Sequence, residues 1–249
     1  GVNMRFFMTF SYDGSNFSGY QKQPRERTVQ KCLEDALKEI NGGKNVIVVA
    51  SGRTDAGVHA MGQRAHFDMD VKITPDKLMK GLNSILPDDI YVKSVHEVDD
   101  NFHARFDAHG KEYIYLINMG EYNPIERNYC FQYCKRLDLV SIERGLKYLE
   151  GEHNFKSFTK STDEVDDYVR KISQTSVVRD SKDMNKIIIT FVGTGFLRYM
   201  VRNMVGLLIE IGEGKRKPEE IIDILKHEDR RVAGKTAPAC GLYLRNVFY

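Results

Sequence analysis

The sequence predicts an α+β protein in which strands and helices alternate in both halves of the chain. Two segments, Met4 to Tyr12 and Ile90 to Val98, read as strands, the first ending at the turn pair Asp13-Gly14. Between them lie two stretches with apolar residues at helical spacing, each with its own start signal. The second half repeats this style with different residues and no visible internal repeat. This β-α-β character argues for mixed sheets with helices packed on them.

The elements follow in order. Thr28 is a good N-cap for a helix with apolar positions Val29, Cys32, Leu33, Ala36, Leu37 and Ile40, stopped by Gly42-Gly43. Val46 to Ala50 is nearly continuous and β-branched, so it reads as a buried strand. Pro75 starts a second helix through Leu78 and Leu82. In the second half, Tyr113, Tyr115 and Ile117 alternate with Ile114 and Leu116, so Tyr113 projects from one face of a strand. Ser141 caps a helix through Leu146 and Leu149 that stops at Gly151. Ile172 to Val178 and Ile187 to Val192, joined by polar Arg179 to Lys186, read as a hairpin. Leu197, Met200, Val201, Met204, Leu208 and Ile211 form one helical stripe ending at Gly212. Pro218 opens another helix, and Gly241 to Tyr249 closes the chain as a strand. The domains expected are 4–105 and 106–249, the boundary resting on where the second set of strands begins.

The most informative segment is Ser51-Gly52-Arg53-Thr54-Asp55-Ala56-Gly57-Val58-His59-Ala60, which holds one carboxylate between two glycines just after an apolar run. Asp beside Gly is common in plain turns. Here Arg53 favours an ionised Asp55, and the small Ala56, Gly57 and Ala60 let a bulky planar substrate approach the backbone. His59 and His66 invite a metal reading. Their spacing of seven fits neither a helical His pair nor a Cys/His zinc pattern, so metal binding ranks low.

Composition sets the frame. The 249 residues are 41% hydrophobic and 29% charged, ordinary values for a soluble protein large enough for a substantial core. No apolar run reaches the ~18 residues of a membrane span, and there is no secretory leader, so a cytoplasmic protein without membrane partners is expected. Cys32, Cys130, Cys134 and Cys240 are scattered and read as reduced thiols. A net charge of +2 does not announce a nucleic-acid partner. Its distribution is more telling: Lys22, Arg25 and Arg27 cluster, as do Arg198 and Arg202, Lys215 to Lys217, and Arg230, Arg231 and Lys235. On one face they would track a phosphate backbone.

A series of segments, taken in order, resembles the TruA family of tRNA pseudouridine synthases. They are Phe10-Ser11-Tyr12-Asp13-Gly14, Phe17-Ser18-Gly19-Tyr20-Gln21, Thr28-Val29-Gln30, the Asp55 segment, Phe102-His103-Ala104-Arg105-Phe106, Lys111-Glu112-Tyr113-Ile114-Tyr115, Met200-Val201-Arg202-Asn203-Met204-Val205-Gly206, and Thr236-Ala237-Pro238-Ala239-Cys240-Gly241-Leu242. The resemblance covers nearly the whole chain. Tyr20 stands where the family often has tryptophan, and an aromatic is retained.

The resemblance implies two similar sheet-and-helix halves forming a mixed, mainly antiparallel sheet with a central cleft. It implies conversion of uridine to pseudouridine in the anticodon stem-loop of tRNA, with a homodimer holding the tRNA. That reaction moves C1′ from N1 to C5 without redox change. It needs no nicotinamide, flavin or ATP, and the chain offers no dinucleotide loop or P-loop. Asp55 would be the carboxylate, as nucleophile or as the base that starts glycosidic cleavage. Arg202 would be its salt-bridge partner. Tyr113 would stack on the uracil and take part in the proton step at C5, with Leu242 completing the apolar wall. Arg53 would contact RNA, Arg198 a phosphate, and Tyr115 would serve packing. A noncatalytic RNA-binding module and a metal-dependent hydrolase using Asp55, His59 and His66 are the competing readings, both ranked well below.

Overall fold

The computed structural model describes residues 3–160, 162 and 164–249. The chain forms two compact units, one running to His109 and joined by Tyr243–Tyr249, the other comprising Gly110–Leu242.

In the first unit, β1 (Met4–Tyr12) leads through α1 (Val29–Ile40), β2 (Val49–Ala50), β3 (His59–Met69) and α2 (Pro75–Ile85) to β4 (Ile90–Val98). β1 pairs antiparallel with β3 on one side and β4 on the other, Met8 standing opposite both Ala65 and Val95. Phe6, Met8 and Phe10 are fully buried, and the Phe6 ring stacks on Phe67 at 5.9 Å. α1 buries Val29, Leu33, Ala36 and Leu37, while α2 buries Leu78 and Leu82. Both helices start as expected. Thr28 Oγ1 accepts the Lys31 N–H at 3.3 Å and Thr74 Oγ1 the Lys77 N–H at 3.4 Å, caps worth about 1 kcal/mol each. The closing strand β10 (Leu242–Phe248) runs parallel to β3, with Tyr243 opposite His59.

Two features of this unit differ from expectation. The run Val46 to Ala50 is a strand only at Val49–Ala50, and Ile47 is 73% exposed. The cause is α1: Val48 N–H donates to Glu34 Oε2 at 2.9 Å, and the Val48 carbonyl accepts from Gln30 Nε2 at 3.4 Å. Helix side chains thus satisfy the backbone groups that a neighbouring strand would have bonded. The other is β3 itself, eleven residues that hydrophobic alternation does not disclose. His59, Gln63 and His66 are buried along it, each accepting a hydrogen bond: from Gly14 N–H at 2.9 Å, Ser51 Oγ at 2.6 Å and Ala104 N–H at 2.9 Å.

The second unit contains β5 (Gly110–Asn118), β6 (Phe131–Gln132), α3 (Leu139–Leu149), β7 (Gly151–Asn154), β8 (Val169–Arg179), β9 (Lys186–Gly193), α4 (Met200–Gly212) and α5 (Glu220–His227). β9 pairs antiparallel with β5 and with β8, making the expected hairpin with β8. β7 extends β8 antiparallel, and β6 runs parallel to the end of β5. Parallel pairs occur in both units among mostly antiparallel ones, so the fold is mixed α+β. The cap of α3 is Asp138, not Ser141. Asp138 accepts from the N–H groups of Val140 and Ser141, and Ser141 Oγ donates to it at 2.7 Å.

α4 also exceeds its expected stripe. Asn203, Val205, Leu207 and Ile209 are buried as well, so the helix is enclosed on nearly every side. Asn203 is tolerated there because its amide donates to Phe158 O at 2.7 Å and accepts from Thr236 Oγ1 at 2.6 Å. Gly206 is required by the backbone crossing α4, since a Cβ would stand 1.6 Å from Lys235 O. Among the described residues, no helix is long and apolar enough to cross a membrane.

Candidate active site

The Asp55 loop is held from several directions. Ser51 N–H donates to Arg64 O at 2.8 Å, and the buried Thr54 lies 2.6 Å, Oγ1 to Oη, from Tyr12. Burial pushes the Tyr12 phenol up to about 12, so it remains a neutral hydroxyl that can complete this bond. Tyr20 N–H donates to Thr54 O at 3.1 Å, and Val58 N–H closes the turn on Asp55 O at 3.1 Å. Gly57 has φ +83°, a conformation L side chains rarely adopt. Gly14 presses on the loop so closely that a Cβ would lie 1.9 Å from Val58 O. Asp55 itself is half-buried between the buried Thr54 and the exposed Ala56. The backbone on both sides of the carboxylate is therefore clamped.

His59 begins β3 just beyond the loop. Its Nδ1 accepts the Gly14 N–H at 2.9 Å and also lies 3.5 Å from Asp13 Oδ1. A nitrogen receiving a backbone N–H carries no proton, so the Asp13 contact is not an ion pair. Asp13 Oδ1 instead accepts from Ser15 N–H and Ser15 Oγ. His66, farther along β3 past a bulge between Ala60 and Gln63, accepts the Ala104 N–H on its Nδ1. Burial, reinforced by Arg5 and His103, lowers its pKa to about 4. The two histidines thus each serve backbone closure, one at Gly14 and the other at Ala104. Among the described residues, no group of three or more His, Cys, Asp or Glu could hold a metal ion. The four cysteines are free thiols.

The remaining candidates are placed as follows. Arg53 is exposed, with Nη1 donating to Gln21 Oε1 at 2.7 Å. Tyr113 on β5 is 8% exposed and meets the Phe196 ring edge-on at 5.1 Å. Tyr115 is fully buried, its hydroxyl donating to Pro238 O at 2.7 Å, and Gly241 leaves it room, since a Cβ there would lie 2.7 Å from Cζ. Leu242, buried, opens β10.

Arg202 lies in the first turn of α4, where Nε donates to Ala237 O at 2.9 Å. Arg198 precedes the helix, so the two arginines do not share one helical face. They meet by another route. Both guanidinium carbons lie over the ring of Tyr199, at 4.7 Å for Arg202 and 5.7 Å for Arg198. Tyr199 and Lys160 carry no signal in the sequence beyond residue type, and the contact of Tyr12 with Thr54 is likewise made by the tertiary fold.

Residues 8–107 and 146–249 match the family described as tRNA pseudouridine synthase. The chain belongs to the tRNA pseudouridine synthase family. It is therefore an enzyme, an isomerase. It is similar to curated proteins named tRNA pseudouridine synthase A along essentially their whole length. That of Geobacillus sp. (strain WCH70) is 45% identical over 249 residues, covering 100% of this chain and 99% of the relative. Those of Anoxybacillus flavithermus (strain DSM 21510 / WK1) and Streptococcus mutans serotype c (strain ATCC 700610 / UA159) are 47% and 44% identical. They cover 98% and 99% of this chain and the same shares of the relatives.

Proposed function

We propose that this enzyme isomerises uridine to pseudouridine in the anticodon stem-loop of tRNA, with Asp55 as the initiating carboxylate. The observation that carries the reading is the mounting of Asp55. It is half-buried on a turn fixed by Tyr20, by Val58 and by the Tyr12–Thr54 hydrogen bond.

The target uridine leaves the stack to reach the carboxylate. Asp55 either adds to C1′ or removes the proton whose loss starts cleavage. The C1′–N1 bond breaks, the base turns, and C1′ bonds to C5. C5 then loses its proton and N1 gains one, so no electrons are exchanged with a cofactor. Arg202 is the cation that keeps Asp55 ionised, a role supported by the Met200–Gly206 segment's likeness to the family. Tyr113 stacks on the uracil, and its low exposure limits water at the ring. Leu242 supplies apolar wall, and Arg53, exposed, supplies an RNA contact. The N-terminal domain thus carries the carboxylate, and the C-terminal domain carries Tyr113 and Arg202. The enzyme works in the cytoplasm as a homodimer, which doubles a modest positive charge. Light scattering that finds a monomer at working concentration refutes the dimer.

The test is tritium release from C5-labelled uridine in unmodified tRNA, without added metal or cofactor, for the intact protein and Asp55→Asn. The variant is expected to lose ~10²- to 10⁴-fold or more in rate, while tRNA binding stays nearly unchanged. Equal release by both proteins refutes the role of Asp55. Release by neither, with tRNA bound, refutes catalysis on this substrate.

A further inference from the structure

We propose that Lys160 and Arg198, seated on the ring of Tyr199 beside Arg202, bind a backbone phosphate of the tRNA. This rests on tRNA as the substrate. Lys160 Nζ lies 5.3 Å from the centroid of the Tyr199 ring, joining Arg198 at 5.7 Å and Arg202 at 4.7 Å. Three cations therefore surround one aromatic ring. They come from separate segments: the loop after the turn Lys156–Phe158, the approach to α4, and α4 itself.

The structure holds them together deliberately. Lys160 N–H donates to Arg198 O at 3.0 Å, which ties the two segments by their backbones. Asn203 of α4 donates to Phe158 O at 2.7 Å, pinning the Lys160 loop from the other side. Arg202 is oriented by its bond to Ala237 O. Tyr199 adopts φ +67° and ψ 0°, a left-handed conformation rare for an aromatic residue, and it puts the ring among the three charges.

A ring face holds nearby cations through its quadrupole, so Lys160 and Arg198 are kept side by side on one platform. A guanidinium fork and an ammonium beside a half-exposed ring suit a phosphate, which presents several acceptor oxygens to donors from different directions. The first turn of α4 adds its positive dipole end. Lys160 is thus a substrate-positioning residue that no motif in the sequence announces.

The experiment compares the intact protein with Lys160→Gln and Lys160→Arg, measuring kcat and KM for tritium release and tRNA affinity from 0.05 to 0.3 M salt. One lost phosphate contact lowers the log–log salt slope by about 0.7 and, at ~0.1 M salt, weakens binding about fivefold. Lys160→Gln is expected to raise KM by that factor with kcat kept within about twofold, and Lys160→Arg to restore both KM and slope. An unchanged KM and salt slope in Lys160→Gln overturns the proposal while leaving the synthase reading intact. A fall in kcat at constant KM and slope also overturns it. If the intact protein releases no tritium, the synthase reading fails instead. If Lys160→Gln fails to fold, Lys160→Met decides, since it keeps the apolar stem and removes the charge: a salt slope lowered by about 0.7 supports the proposal, and a slope equal to the intact protein's overturns it.

Discussion

Acidification should destabilise the first unit through His66, and the size of the effect follows from its surroundings. The side chain is 4% exposed, and its Nδ1 accepts the Ala104 N–H at 2.9 Å, so the native state requires a neutral ring. Burial first, then Arg5 and His103, lowers the pKa from 6.5 to about 4. Between these values the unfolded chain binds a proton that the folded chain refuses. The stability contributed by a neutral His66 is therefore complete above about pH 6.5 and is lost as pH falls toward 4. At 1.36 kcal/mol per unit the loss approaches about 3 kcal/mol at the acid end. His66→Asn provides the control: an amide oxygen can take the place of Nδ1 as acceptor, and it does not titrate. Unfolding by urea at pH 7 and near pH 4.5 should show the intact protein losing more stability than the variant, by about 2 kcal/mol. An NMR titration of the ring gives the pKa directly. A midpoint near 6.5, or identical pH dependence of the two proteins, would refute the reasoning.

Two further substitutions probe the mounting of the Asp55 loop. Gly14→Ala places a methyl 1.9 Å from the backbone oxygen of Val58, which cannot swing aside as a side chain would. It should cost ~2–4 kcal/mol and reduce tritium release, and an unchanged melting temperature would show that the loop is not clamped there. Tyr20→Phe removes a hydroxyl that is buried without a hydrogen-bond partner among the described residues. Because nothing is left unpaired, the variant should match the intact protein or gain up to ~1 kcal/mol in thermal unfolding. A clear loss would reveal an unseen partner for that hydroxyl.

Local chemistry made much of this protein legible from its sequence. Thr28 and Pro75 start helices because capping and a fixed φ act within a few residues, and β1, β4 and the β8–β9 hairpin follow from short-range apolar patterns. The family was legible too, since the Asp55 and Arg202 segments lie in unbroken runs of sequence. What escaped depended on partners far along the chain. The strandlike run at Val46 stops being a ladder because Glu34 and Gln30 of α1 reach its backbone. β3 is a strand with buried polar residues because Gly14, Ser51 and Ala104 satisfy them. α4 is enclosed rather than one-faced because Lys235 to Ala237 cross it at Gly206, a packing that periodicity cannot foresee. Sequence alone thus determined where helices begin, which strands are apolar and which family the chain joins. Only the tertiary structure decided how Asp55's loop is clamped and that Lys160 meets Arg198 and Arg202 over Tyr199, because those contacts join residues that no local spacing relates.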